Sequence, residues 1–544
     1  MVISALYILG ILAIGLWVGI SHRKKAKGNA ANQYFLAGKS LRWPAIGLAL
    51  FATNISTVHL VSLAQSGFDT GLLNGNFEWM AAFTLILLAL FFSPFYIRSG
   101  VATLPDFLEK RYDRQSRDWL VIISVVSAMI IHIAFSMLAG GIVLKTLFGV
   151  SMYTSVIAIS MITAIYTIIG GLKAVVVTES IQTVVLVTGA CIITVAAFNK
   201  IGGWSPMVQV LTDHNQLSKL SMLRPHDDPG GMPWYSVFLG YPVLGIWYWC
   251  ADQTIVQRVL GAKDENHARV GPLFCGFIKI LPVFIFVLPG LFAYALVQQG
   301  KLDISALKSI DATGKEIVNS KGIYTLMIAQ LLPGGLIGIL VAALLSGLMS
   351  QVSGALNSIS TMASYDIYQR YRPGATDKEL IRVGKIVAGI ALLVSLAMLP
   401  LLNHYESIFN GLNDIIAHIA PPITCVFLLG VFWKKASAQS AKLTLWIGSA
   451  LGAVVFAFNK LYPASILSKV PFMMMAFYLF CTCVVMQVIF SYCYPVQHNS
   501  TSSKLYWKSI WEPLQTPGWK GLGNYKLLSL LLLVIMGVLF WTFH

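Results

Sequence analysis

Long apolar runs alternate along this chain with short polar connections, and that rhythm sets the first expectation. A helix needs about 20 mostly apolar residues to cross a hydrocarbon core, whereas barrel strands would show alternation over roughly ten residues. The pattern here is the first. It predicts about fourteen spans, near 2–20, 43–66, 76–98, 119–147, 152–170, 179–199, 233–256, 269–298, 322–365, 383–402, 406–433, 441–458, 468–494 and 524–543. The fold class is therefore an all-α integral membrane protein. The ninth run is overlong, which implies an amphipathic or extra-membrane end continuing from it. Connections are short except at 200–232, 299–321 and 495–523.

Composition agrees: 57% of residues are hydrophobic and 11% charged, against about 25% charged in a soluble domain. Lys and Arg, which stay on the cytoplasmic side, fix the orientation. Alternate loops beginning with "HRKKAK" (22–27) hold 27 of the 38, the opposite side holds 10, and Lys279 falls within a span. The amino terminus is thus expected outside, and fourteen spans return the carboxyl terminus to the same extracytoplasmic side. The first span lacks a basic n-region and a small-residue cleavage site, so no cleavable signal is expected. The formal charge of +16 reads as this bias toward the inside and not as a nucleic-acid surface. Lipid is the expected surrounding, in the cell membrane. No catalytic constellation stands on an aqueous loop, and the chain is not expected to be an enzyme.

Function is then sought among polar residues at membrane depth, where they are costly and mark substrate or ion pathways. "FATNISTVHLVSL" (51–63) carries Asn54, Ser56, Thr57 and His59 inside an apolar run. An unwound segment lining a cavity would satisfy them and free carbonyls for a cation; a continuous helix bonded to its neighbour would satisfy them too. "FLGYPVLGIWYWCADQTIVQR" (238–258) supplies a second interruption at Gly240, Pro242 and Gly245, followed by Trp247, Tyr248 and Trp249. The two breaks stand five spans apart, as in an inverted repeat of five helices plus five. Tyr248 and Trp249 suit a flat, hydroxyl-rich ligand, or else an interface belt.

Lys279 lies too deep to snorkel easily and needs a partner, either a polar ligand or a salt bridge between helices. Glu78 stands near the expected outer end of its span. His132, in mid-span, could donate to a solute, shuttle a proton or bond across helices. Small residues and hydroxyls crowd the ninth span, mostly for close packing. Ser350 facing the Ala52–Ile55 break would form an oxygen cage for sodium, a hard cation.

The blocks "NQYFLAGKSL", "NISTVHLVSLAQSGF", "FEWM", "YWCADQTIVQR", "GFIKILPVFIFVLPG", "SYDIY" and "APPITCVFLLGVFWKK" occur in order from about 33 to 435. In them the chain resembles the sodium/solute symporter family, closest to its sodium/glucose cotransporter branch. The resemblance implies a leucine-transporter-type fold: a leading helix and basic loop (1–42), five-helix repeats at 43–200 and 201–435, and about three trailing helices (436–544). It implies sodium-coupled import of a sugar by alternating access, with sodium as co-substrate. Sodium-site carbonyls fall on Ala52, Ile55 and Gly347, and a hydroxyl ligand on Ser350. Sugar contacts fall on Asn54, His59, Glu78, Tyr248, Trp249 and Lys279. Tyr248 matches an inner gate; Leu63 and Phe409 match the outer one. Three positions depart from the pattern. Gln351 replaces a second Ser of the sodium site, Asn413 replaces a sugar-contacting Gln, and Glu179 replaces a coupling Asp while keeping its charge. Another polyol or acidic sugar (inositol, sialic acid), proton coupling through His132 or Glu179, and a non-accumulating sensor or channel of the same fold remain the alternatives.

Overall fold

The computed structural model describes residues 2–24, 29–228, 230–310, 316–402 and 408–544. Helices make up most of it. The described strands are one short antiparallel pair, Lys308–Ile310 with Glu316–Val318, in which Lys308 stands opposite Val318.

Eleven helical stretches among the described residues are long and apolar enough to cross a membrane. Three of the fourteen expected spans do not appear separately, each for a local reason. The fifth and sixth runs continue as Met152–Ile201, kinked where Gly171 takes φ 69°. A Cβ there would lie 2.5 Å from the Tyr34 carbonyl oxygen, so the kink and the close approach both require glycine. The second span splits into Trp43–Asn54 and Thr57–Thr70, and the latter runs into the third. The seventh splits into Trp234–Ile246 and Gln253–Leu260, neither long enough to cross alone. The overlong ninth run divides at Pro333 into Ile323–Leu331 and Gly334–Met362. Its excess is a separate short helix, because proline lacks the N–H and crowds the preceding turn.

Both broken spans are written as helix starts. Ser56, extended at φ −107° and ψ 176°, opens the Thr57–Thr70 helix. Asp252 opens Gln253–Leu260, its carboxylate accepting from the Thr254 N–H at 2.6 Å. Ser and Asp are strong N-caps because a short side-chain oxygen satisfies an otherwise unpaired donor. Gly240, Pro242 and Gly245 were expected to make the second interruption, yet they lie inside the continuous Trp234–Ile246 helix. Gly240 instead admits the Met473 backbone against it. The break comes after a wide turn at Trp247–Ala251.

The Gly334–Met362 helix packs along Met152–Ile201 and against the first break. At Gly347 a Cβ would sit 2.8 Å from Thr57 N, so glycine sets the closeness of that contact. At the carboxyl end of Thr57–Thr70, the 200–232 loop supplies cations for the unpaired terminal carbonyls. Lys219 Nζ donates to Phe68 O and Asp69 O at 2.8 and 2.6 Å, and Arg224 donates to Thr70 O at 2.9 Å. Burial pushes the Lys219 ammonium down to about 8, against the upward pull of Asp69.

Candidate functional site

The first break gathers oxygens. Ser350 Oγ lies 2.8 Å from Ala52 O and 3.1 Å from Gly347 O, and Ile55 sits in the break itself at φ −80° and ψ 106°. Thr57 Oγ1 donates to Leu344 O at 2.8 Å and pins the start of the second half-helix to the same neighbour. Hard oxygen donors converging at a helix break are what a sodium ion takes. Gln351, expected in the same cage, is engaged elsewhere. Its Nε2 donates to Asn54 O at 3.1 Å and its Oε1 meets His132 Nδ1 at 3.1 Å. The Asn54 carbonyl can only accept, so the amide oxygen must face the imidazole.

Asn54 also reaches the other way, into a cavity. Asn54, His59, Glu78, Tyr248, Trp249 and Asn413 all line it, together with His132 and Gln351. The amide of Asn54 donates to Tyr248 Oη at 3.2 Å. His59 Nδ1 accepts from the Ser56 N–H at 3.3 Å, which leaves Nε2 to carry the proton of the neutral ring. Tyr248 and Trp249 meet edge to face with centroids 5.2 Å apart.

Lys279 stands behind this wall rather than in it. It ends the Glu265–Ile278 helix, donates to Asn54 Oδ1 at 2.5 Å, pairs with Glu78, and lies 5.6 Å from the centre of the Trp249 ring. The side chains of Lys279 and Glu78 are 1% and 2% exposed. Lys279 thus bridges helices and sets three lining residues at once. Glu78 is buried and paired, not solvated at a helix end. Of the expected gates, Tyr248 lines the cavity, Leu63 is fully buried and does not line it, and the side chain of Phe409 lies outside the described residues.

Two charged residues complete the surroundings that sequence reasoning had left unassigned. Asp252 Oδ2 meets His132 Nε2 at 2.8 Å, so His132 is held between Asp252 and Gln351. Arg258 pairs with Glu179 at 2.5 Å with both side chains fully buried, and Thr53 Oγ1 donates to the same carboxylate at 3.1 Å. The charge of Glu179 is thereby matched, and the carboxylate ties the first half-helix to Met152–Ile201 and Gln253–Leu260. Tyr241, also unforeseen, lines the cavity and donates to Phe77 O at 3.0 Å. The signal for Asp252 and Arg258 was present as two charges at membrane depth just after the Trp-Tyr-Trp cluster.

Residues 34–448 match the model of the sodium:solute symporter family. Sodium/glucose cotransporter 1 of Ovis aries is 33% identical over 470 residues, covering 83% of this chain and 70% of that protein. A sodium/mannose cotransporter of Bos taurus is 33% identical over 477 residues, covering 85% and 79%. Among solved structures, a substrate-bound outward-open sodium-coupled sialic acid symporter superposes with TM-score 0.76 at 22% identity, over 91% of this chain and 99% of that one. A nucleobase-cation-symport-1 family transporter gives TM-score 0.50 at 14% identity, covering 88% and 98%. The fold is therefore of leucine-transporter type, and the chain belongs to the sodium:solute symporter family: a multi-pass membrane transporter and not an enzyme.

Proposed function

We propose that this chain imports a hexose such as glucose or galactose, driven by sodium that enters with it through alternating access. One arrangement carries the reading: a cavity walled by Tyr248 and Trp249, rimmed by Asn54, His59, Glu78 and Asn413, and joined through Asn54 to an oxygen corner at Ala52 and Ser350. Aromatic faces and a polar rim are what a sugar requires. The ammonium nearest the cavity, Lys279, is already paired with Glu78, which favours a neutral solute over an acidic one. The relatives named above are glucose and mannose cotransporters.

Ala52, Ile55, Gly347 and Ser350 would hold the ion, and each charge moved across 100 mV supplies about 2.3 kcal/mol. In this reading the repeats are 43–200 and 201–435, and both termini face outward across the plasma membrane. Uptake of labelled hexoses, inositol and sialic acid into proteoliposomes tests it, with inward sodium, potassium or proton gradients. Accumulation of a hexose with sodium alone is expected. Accumulation of only an acidic solute, coupling to protons, or binding without accumulation would each refute it.

A further inference from the structure

Both ring nitrogens of His132 face acceptors. On one side Gln351 gives its Nε2 to the Asn54 carbonyl at 3.1 Å, which leaves Oε1 to meet His132 Nδ1 at 3.1 Å. On the other, Asp252 Oδ2 lies 2.8 Å from His132 Nε2, while Oδ1 accepts from the Thr254 N–H at 2.6 Å. A neutral imidazole has a single N–H and cannot donate both ways. One extra proton is therefore held between Nε2 and the carboxylate, whichever of the two atoms carries it.

The surroundings leave that proton to this pair. The side chains of His132 and Asp252 are 2% and 6% exposed. The Gly334–Met362 helix, packed against Ala128–Ala134, carries no titratable residue. Asp377–Ala397 meets the same turn through Ser395 Oγ and Met129 O, and carries none beyond Lys385. Along the span of His132 itself the nearest charges are Asp118 and Lys145, several turns away. From the second broken span Tyr248 faces the ring with centroids 5.8 Å apart, and the Cys250 thiol is directed to Thr84 O instead. Elsewhere on the cavity wall His59 is engaged with Ser56, and Glu78 is paired with Lys279.

The resulting relay runs from Asp252 through His132 and Gln351 to Asn54, and it joins the two breaks. Asp252 caps the half-helix after the second break, and Asn54 closes the half-helix before the first. A ring that loses the proton keeps one N–H. If that N–H stays on Asp252, a bare Nδ1 meets the Gln351 oxygen, and turning the amide to answer it takes its donor away from Asn54 O. If it stays on Gln351, a bare Nε2 meets a buried carboxylate, which is left without a partner. In either case one link of the relay parts.

We infer that His132 is a positioning residue that joins the two breaks only while this proton is held, so that solute and sodium affinity both weaken as the medium turns alkaline. The inference deepens the sugar-import reading proposed above and takes its solute from it. The proton sets affinity and is not the ion that drives transport.

The test is sodium-driven uptake of D-glucose into proteoliposomes with equal pH on both sides, followed from about pH 5 to pH 9, a span that brackets the charge change of imidazole side chains. The wild-type KM should rise about two- to tenfold toward the alkaline end, the worth of one hydrogen bond. Asp252→Asn should lose that limb, because its amide oxygen keeps the helix cap and its NH2 donates to a neutral Nε2, leaving Nδ1–H for Gln351. Its KM should rise toward acid instead, where a doubly protonated ring meets an amide donor. Gln351→Ala should show a raised KM that is flat with pH. A purely structural role would lower the stability of these variants and leave the wild-type pH profile in place. A wild-type KM without an alkaline limb would overturn the relay. The same limb in Gln351→Ala would overturn it too, placing the proton elsewhere, at His59 first of all. If Asp252→Asn fails to reach the membrane, the wild type and Gln351→Ala carry the test. Absence of uptake at every pH would refute the function proposed above and not the relay. The sodium needed for half-saturation of the purified protein, read by tryptophan fluorescence without solute, should still rise about two- to tenfold on the alkaline side, and an unmoved value would sink the relay as well.

Discussion

The Lys279 and Glu78 pair decides how much of the cavity wall is held by charge. Both side chains are essentially buried, and Lys279 also fixes the Asn54 amide. Replacing Lys279 with Met strands a carboxylate away from water, and replacing Glu78 with Gln strands an ammonium. Breaking a buried pair from one side costs about 3–5 kcal/mol, whereas removing both charges with shape-matched neutral residues is often close to neutral. Thermal unfolding of purified Lys279→Met, Glu78→Gln and the double variant should therefore be strongly non-additive, the double variant standing nearest the wild type. Uptake should behave differently. The double variant still lacks the donor that orients Asn54, and one charge-assisted hydrogen bond is worth about 1.5–3 kcal/mol, so its solute KM should rise about tenfold or more. Additive losses of stability would show that the two charges are not energetically coupled. A double variant with wild-type KM would show that Lys279 only joins helices and does nothing for the solute.

Ser350→Ala removes one oxygen worth about 1–2 kcal/mol and should raise the sodium needed for half-maximal uptake about tenfold, leaving solute KM at saturating sodium within about twofold. An unshifted sodium curve would move the ion elsewhere. Gly347→Ala places a methyl 2.8 Å from Thr57 N, and the forced separation, about 1–3 kcal/mol, should cut uptake sharply. Gly389→Ala, where nothing lies within 4 Å, is the control and should transport normally; parity of the two would refute a packed break. Arg258→Met should destabilise by about 3–5 kcal/mol by stranding Glu179, and Glu179→Gln in the same chain should recover folding. Failure of that rescue, read by thermal unfolding, would argue against a matched pair.

How far the sequence could be read depended on whether a signal was local. Apolar runs of spanning length located the helices, because hydrocarbon demands them at every crossing. The polar cluster at Asn54–His59 located the first break, because polar groups in lipid must be satisfied somewhere. The second break was placed on Gly240, Pro242 and Gly245 because these residues break helices in isolation. In the fold they lie in a helix packed against Met473 and Thr84, and the interruption comes where Asp252 caps the next helix. The capping residue was the better guide. Pairings between distant residues stayed hidden. Nothing near Glu179 in the chain announces Arg258, and nothing near His132 announces Asp252 or Gln351. These contacts depend on how four helices stack, which no window of sequence contains.

Asn54 shows how the break could make two ligands depend on each other. In an unbroken helix the Ala52 and Asn54 carbonyls would accept from the N–H groups four residues later. The break frees both, and adjacent residues of the Gly334–Met362 helix take them: Ser350 meets Ala52 O and Gln351 meets Asn54 O. On the reading proposed above, a cation between Ala52 and Ser350 draws that helix onto the break. The same movement seats Gln351 on Asn54, whose side chain then stands fixed between Lys279 and Tyr248. Sodium thereby favours the arrangement that the solute needs, and by linkage the solute must tighten sodium by the same factor. Couplings of this kind are typically about 1–3 kcal/mol, or roughly 5- to 150-fold. Sodium binding to the purified protein, followed by intrinsic tryptophan fluorescence with and without saturating D-glucose, measures that factor directly. Gln351→Ala should bring it close to one while lowering sodium affinity in the absence of solute only about two- to tenfold, the worth of one lost hydrogen bond. If the factor survives in Gln351→Ala, the two sites communicate by another route. If sodium affinity alone collapses, Gln351 is a ligand of the ion after all.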